Sequence, residues 1–317
     1  MRRLLPLGFL LSLLVSCGPL TQGLQPEEVL RNAAQKSSEL LSAHFTVDAE
    51  YAVTSSTMPT TGTAKLTGAL QDGGEQVSFT LDAAAQMAPE GGESFTITAT
   101  SDVFLVGKEE VYFRLSALSV DPASDLFKED LLQYLLNKWW FLPSSAAQEK
   151  APAADITPPP SLIRAQSQVV QVTKDLGMTE INGREAYHYA VTVDAAKLLA
   201  YLEQVAVEQQ QPFDRTATEQ SLSTLQADGE LWIDAETFFV QKIIWNIKSF
   251  ALGEDLTLNG TFTASLTDHN AVPPLTLPQD AKLLTPLNLF GSQAGSSGLG
   301  ELQKLMEEQP AAPASAQ

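Results

Sequence analysis

The sequence predicts an α+β protein built on one long antiparallel sheet. Three observations carry that prediction. Apolar residues recur at every second position over much of the chain, which is the period of a strand with one buried face. Short Gly- and Asn-containing turns such as "QDGGE", "APEGGE" and "INGR" separate these runs. Helical stretches are few, and they do not alternate with strands as a parallel βαβ fold requires.

The elements follow in order. "PEEVLRNAAQKSSELLSA", from Pro26, has the spacing of an amphipathic helix. Pro26 suits the first helical position, where no N–H is needed, and Glu27 and Glu28 suit the positive end of the dipole. Its apolar side is predicted to hold Val29, Leu30, Ala33, Ala34, Leu40 and Leu41. The period then changes to two. Phe45, Val47, Ala49, Tyr51 and Val53 alternate with polar residues, and the same pattern returns over 64–70, 77–85 and 95–103, with a further strand over 110–115. "SDLFKEDLLQYLLNKWW" is predicted to be a second helix capped by Ser124 or Asp125. Apolar residues cover most of its circumference, so it must be covered on most sides or cover something apolar. Residues 143–160, "PSSAAQEKAPAADITPPP", form a Pro/Ala loop.

In the second half, "LGMTEINGREAYHYAVTVD" predicts a hairpin turning at Asn182-Gly183. Asp194 can cap the helix "AAKLLAYLEQVAVEQ", whose stripe is Leu198, Tyr201, Leu202 and Val205. A shorter helix over 216–225 precedes three strands, "DGELWIDA", "FFVQKIIWNIKSF" and "LTLNGTFTASL". In the middle one, strict alternation assigns Phe239, Ile243, Trp245 and Ile247 to one face and Val240, Ile244 and Phe250 to the other. Two apolar faces imply a strand covered on both sides. Neither half has enough strands and helix to cover both faces of a sheet, so one domain is expected over 26–282. Residues 283–317 form a loose tail with one short helix at "LGELQKLMEE".

The start of the chain addresses location. Met1-Arg2-Arg3 and then "LLPLGFLLSLLV" give a positive region followed by about a dozen apolar residues, too short for a membrane span of ~20 and suited to a removable signal over 1–16. Leu14-Val15-Ser16-Cys17 resembles the bacterial lipobox. That resemblance implies diacylglycerol on the Cys17 sulfur, cleavage before Cys17, and a lipidated cysteine with a short linker over 17–25. The expected location is extracytoplasmic, at the cell membrane or at the outer membrane of a two-membrane host, with a monomer held by its acyl chains. Cys17 is the only cysteine in the 317 residues, so no intramolecular disulfide forms.

Composition and motifs exclude much else. A net charge of −19 repels phosphate backbones and anionic head groups, so nucleic acid is not a partner and anchoring is left to the acyl chains. His44, His188 and His269 lie on separate predicted strands or strand ends without metal-ligand spacing, so no metal is assigned. There is no nucleophile elbow, P-loop or dinucleotide fingerprint. Glu230, Asp234 and Glu236 could be the paired carboxylates of a glycosidase, but on so acidic a chain they are assigned to a solvent face. No catalytic residue or cofactor is assigned, and an enzyme is not expected. "NKWWFLP" supports two readings: Trp139, Trp140 and Phe141 anchor a helix end in the core, or they rim an apolar ligand cavity.

Taken in order, the lipobox, "SAHFTVDAEY", "GTAKLTG", "INGREAYHYAVTVDAAKLLAYL", "DGELWIDAETFFVQKI" and "LTDHNAVPPLTLPQDA" resemble the bacterial LppX/LprA/F/G-type lipoproteins over most of 26–282. The resemblance implies a large curved antiparallel sheet, a half-open β-barrel like that of the Lol-type carriers, with helices packed on or in its concave face and an apolar cavity between. Characterised members bind acylated lipids or lipoproteins and move them between envelope layers. On this chain the cavity would lie between the sheet and the helices at 124–139 and 195–208. Its lining would include Phe127, Leu131, Leu135, Trp139, Leu198, Leu202, Ile243 and Trp245. The 143–160 loop and the acidic tail depart from the family pattern. Two functions are therefore carried forward: a membrane-anchored carrier of a lipid or acyl chain, and an envelope interaction or sensor module whose sheet is filled by its own side chains.

Overall fold

Twelve strands form one continuous curved sheet in the computed structural model, which describes residues 24–107, 110–122, 133–143, 168–208, 211–253 and 255–284. In chain order the elements are α1 (Pro26–Ser37), β1 (Ala43–Ser55), β2 (Thr60–Gln71), β3 (Gln76–Met87), β4 (Phe95–Val106), β5 (Glu110–Asp121), β6 (Trp139–Pro143), β7 (Val170–Ile181), β8 (Arg184–Val193), α2 (Ala195–Glu208), α3 (Arg215–Ser223), β9 (Gln226–Asp234), β10 (Val240–Gly253), β11 (Leu256–Thr267) and β12 (Lys282–Leu283). The strand order is β12-β6-β5-β4-β3-β2-β1-β11-β10-β9-β8-β7. Neighbours are antiparallel except for the short β12–β6 pair. The sheet stays open, so the predicted class, α+β on a curved antiparallel sheet, is what the structure shows.

Local chemistry explains the turns. Asn182 and Gly183 both adopt positive φ (53° and 76°), the geometry that matches the twist of a two-residue hairpin. Asp194 Oδ1 accepts from the N–H groups of Ala196 and Lys197 at 3.0 and 3.1 Å and so caps α2 as expected. The two halves of the chain meet in the middle of the sheet, where β1 pairs with β11 from His44–Thr267 to Ser55–Leu256.

The best-packed core lies at one end. Val29 and Ala33 of α1, 0% and 4% exposed, press on Tyr189, Val191, Leu231 and Ile233 of β8 and β9. Helix α1 ends at Ser37, however, so Leu40 and Leu41 lie outside it, and Leu41 is 63% exposed.

Two further expectations are corrected. The helix predicted to run to Trp140 is over by Asn137, which takes the left-handed conformation (φ 58°) and donates its N–H to the Leu115 carbonyl. Trp139 and Trp140 instead begin β6 beside β5. In β10 the register slips between Val240 and Lys242, leaving Gln241 as the extra residue of a bulge. The slip moves Val240 onto the core cluster with Ile243 and Trp245, while Phe239 stacks on His269 with ring centroids 4.8 Å apart. A second slip, between Ile247 and Phe250, sets Phe250 opposite Leu258. Cys17 and the signal, Phe127 and Leu131 with the start of their helix, residues 144–160 and the tail beyond 284 lie outside the described residues.

Candidate functional site

One face of the central strands is apolar from edge to edge, and the register shows why. Phe45, Val47, Ala49, Tyr51 and Val53 of β1 stand opposite Gly68, Leu66, Ala64, Gly62 and Thr60 of β2. On the other side they meet Leu266, Ala264, Phe262, Gly260 and Leu258 of β11. The row continues into β3 through Phe79, Leu81, Ala83 and Ala85. Each of these side chains is only part-buried, whereas Tyr189 and Ile233 at the α1 end are 1% and 0% exposed.

Aromatic rings pave this face, and glycines make room for them. A Cβ added at Gly62 would lie 2.6 Å from the Tyr51 ring, and one at Gly229 would lie 2.9 Å from Trp245. Gly68 separates Phe45 from Phe79, whose rings sit 6.5 Å apart. Rings laid over glycines on the neighbouring strand leave an apolar surface with little relief.

The two ends of the face are walled. At the β7–β10 end stand α1 and the tyrosines Tyr187 and Tyr189. Burial, with smaller contributions from Asp175, Tyr187 and Glu27, pushes the Tyr189 hydroxyl up to about 12. At the β5–β6 end Trp140 is 1% exposed, donates its indole N–H to the Leu135 carbonyl at 3.0 Å, and packs its ring 5.1 Å from that of Tyr134.

The predicted lining residues divide accordingly. Ile243 and Trp245 lie on the apolar face, opposite Leu231 and Gly229. Leu135 is part-buried beside Trp140. Leu198 and Leu202 are part-buried on α2, which packs on α3; α3 in turn meets β10, where Ala251 donates its N–H to Thr224. Trp139 stands on the opposite face, with the Arg114 guanidinium 5.1 Å from its ring centre. Its register partner is Arg114, while the apolar-face partner is Phe113, opposite Trp140. No signal in "KWWF" tells the first tryptophan from the second, because the phase is set by β5.

The carboxylates of "GELWIDAE" are not a solvated row. Asp234 is 2% exposed and accepts from the Arg184 fork, from Gln241 Nε2 at 2.6 Å, from the Thr237 hydroxyl at 2.9 Å and from the N–H groups of Glu236 and Thr237. Burial works to raise its pKa, but the Arg184 and Thr237 donors outweigh that and hold the carboxyl well below the usual range. Glu230 bonds His188 at 2.7 Å, and Glu236 is 88% exposed. Asp234 thus fastens the β9–β10 turn to β8, and the set does not form a pair of opposed catalytic carboxylates.

The opposite, polar face carries depressions of its own. Thr46, Thr80, Asp102, Arg114 and Trp139 line a depression of about 560 Å³ that is covered in part by Leu275, Thr276 and Pro278. Asp102 accepts there from Thr80, Arg114 and Ser116 at 2.7–3.1 Å.

No family model and no curated protein matches the chain. Among solved structures it is similar to LprF from Mycobacterium bovis, at 14% identity over 81% of this chain and 97% of that one, with a TM-score of 0.37. It is also similar to the lipoprotein LppX from Mycobacterium tuberculosis, at 9% identity over 79% and 97% with a TM-score of 0.34. A β-barrel-like protein of a domain of unknown function from Brucella abortus aligns at 10% identity over 72% and 100%, with a TM-score of 0.28.

Proposed function

We propose that the protein binds a lipid or acyl chain on the apolar face between α1 and Trp140, and does so outside the cytoplasm, held to a membrane through lipidated Cys17. The observation that carries this reading is the part-exposed apolar row running unbroken across β11, β1, β2 and β3. A contiguous part-exposed apolar face is the kind of surface that marks an interaction site or a ligand-binding groove. An acyl chain gains ~0.8 kcal/mol for each methylene it buries. Ten buried methylenes therefore supply about 8 kcal/mol, equivalent to micromolar affinity before ordering costs. No covalent step is needed, and the carboxylates of Asp102 and Asp234 fasten strands to one another.

The test is native mass spectrometry of protein beginning at Gln25, with uptake of a fluorescent fatty acid measured in parallel. Co-purified lipid is expected, and Leu66→Glu should remove both the lipid and the uptake while keeping the fold by circular dichroism. A clean mass with no uptake would end this reading in favour of an interaction module with a self-filled core. The anchor is tested separately: an alkyne-palmitate label should enter the wild type and be absent from Cys17→Ala.

A further inference from the structure

The polar face has its own architecture, independent of the apolar one. After β11 the chain returns as a strap over this face, from Asp268 to the β12–β6 pair. Asn270 ties its start: Oδ1 accepts from the N–H groups of Leu41 and Ser42 at 2.7 and 3.2 Å, and Nδ2 donates to the Glu39 carbonyl at 3.2 Å. Gln71 Nε2 then donates to the carbonyls of Val272 and Pro273 at 2.7 and 2.6 Å. At the far end Leu284 donates its N–H to the Phe141 carbonyl at 2.9 Å. Pro273, Pro274 and Pro278 stiffen the span between these ties. The depression beneath it, about 560 Å³, falls within the ~300–1,000 Å³ of small-molecule sites.

We infer that this depression between strap and sheet binds a short neutral saccharide. Three features select that chemistry. The first is a rigid pair of adjacent donors and acceptors. Arg114 spends its Nε and Nη2 on Asp102 at 3.0 and 2.8 Å, leaving further N–H groups, while Asp102 Oδ1 accepts one bond, from Thr80. Vicinal sugar hydroxyls, each donating one bond and accepting others, match such a pair. The second is a floor of hydroxyls from Thr46, Thr67, Ser265 and Thr267 beside the apolar surfaces of Leu275, Pro278 and the side of Trp139 that Arg114 leaves uncovered, on which the C–H face of a pyranose can lie.

The third is charge. Arg114 is neutralised by Asp102, His44 is bonded to Asp268, and the chain carries −19 overall, so among the described lining residues a phosphate or carboxylate ligand finds no free cation, and it meets a repulsive field. A wholly apolar ligand would strip water from the ion pair and the hydroxyls without replacing it.

The test uses the full-length chain with maltotriose, cellotriose and triacetylchitotriose as probes, by calorimetry and saturation-transfer NMR. At least one is expected to bind saturably with a Kd of about 1 mM or tighter. Trp139→Ala removes the apolar surface, and Thr46→Trp fills the depression from the floor without touching the ion pair. Each should weaken binding at least about tenfold. A tenfold loss in either variant that keeps its melting temperature and its fatty-acid uptake supports the site. No saturable binding of any probe, binding unchanged in both variants, or preferential binding of inorganic phosphate would overturn it.

Discussion

Replacing Asp234 with alanine should be among the most damaging single changes to the folded protein away from the apolar core. The carboxylate collects six hydrogen bonds in a site where its residue is 2% exposed. Not all of them count equally. Arg184 has a side chain 48% exposed and can turn to water once its partner is gone. Gln241, 4% exposed, cannot, and the N–H groups of Glu236 and Thr237 lose the acceptor that shapes the β9–β10 turn. At ~1–3 kcal/mol for a stranded buried donor, and ~3–5 kcal/mol for breaking a buried ion pair, the loss after discounting Arg184 is about 3 kcal/mol. Urea unfolding with linear extrapolation measures it, and the m-value should stay unchanged. The pH dependence gives an independent check. Because the folded carboxyl is held below its usual range, its stabilisation is complete above the unfolded carboxylate pKa, near ~4, and drains away as pH falls below that. The gap between wild type and Asp234→Ala should therefore close in acid. A loss under about 1 kcal/mol at neutral pH, or a gap that persists undiminished toward pH 2, would refute the fastening role of Asp234.

Other expected outcomes rest on separate features. Gly229→Ala should cost about 1–3 kcal/mol, since its Cβ would lie 2.1 Å from the Ile244 carbonyl oxygen and 2.9 Å from Trp245; a melting temperature equal to wild type would contradict the paving of the apolar face. Burial holds the His269 imidazole below its ordinary pKa, against a bond to the Val240 carbonyl and the charge of Asp234, which favour protonation. A depressed histidine contributes stability above the unfolded pKa, about 6.5, and loses it as pH falls. Between pH 7 and 5 the wild type should thus lose stability relative to His269→Phe, by at most ~1.4 kcal/mol per pH unit; parallel curves would count against it.

The strands of the first half were legible because their alternation is clean. Phe45 to Val53, and the runs over 64–70, 77–85 and 95–103, each put apolar residues on one side, and the structure keeps them there. The Asn182-Gly183 turn and the Asp194 cap were legible for the same reason: each is a local event between near neighbours. What escaped reading was set by distant partners. The bulge at Gln241 inverts the assignments of Phe239 and Val240, and nothing in "FFVQKI" announces it, since an apolar run looks alike in either phase. The burial of Asp234 depends on Arg184, fifty positions earlier, and on Gln241. Trp139 and Trp140 looked like a helix end because "LLQYLLNKWW" is apolar at both periods; Asn137 in the left-handed conformation was the available clue.

The pairing of β1 with β11 has a consequence for how the chain acquires its shape. Leu41 and Asn270, which bond beside that seam, are 229 positions apart in sequence. Until the last long strand is made, the first offers an unpaired edge beside a largely apolar surface, a combination prone to intermolecular pairing. Contacts of such long range are also slow to form. A chain emerging amino end first must therefore wait for residues 256–267 before the centre of its sheet can close.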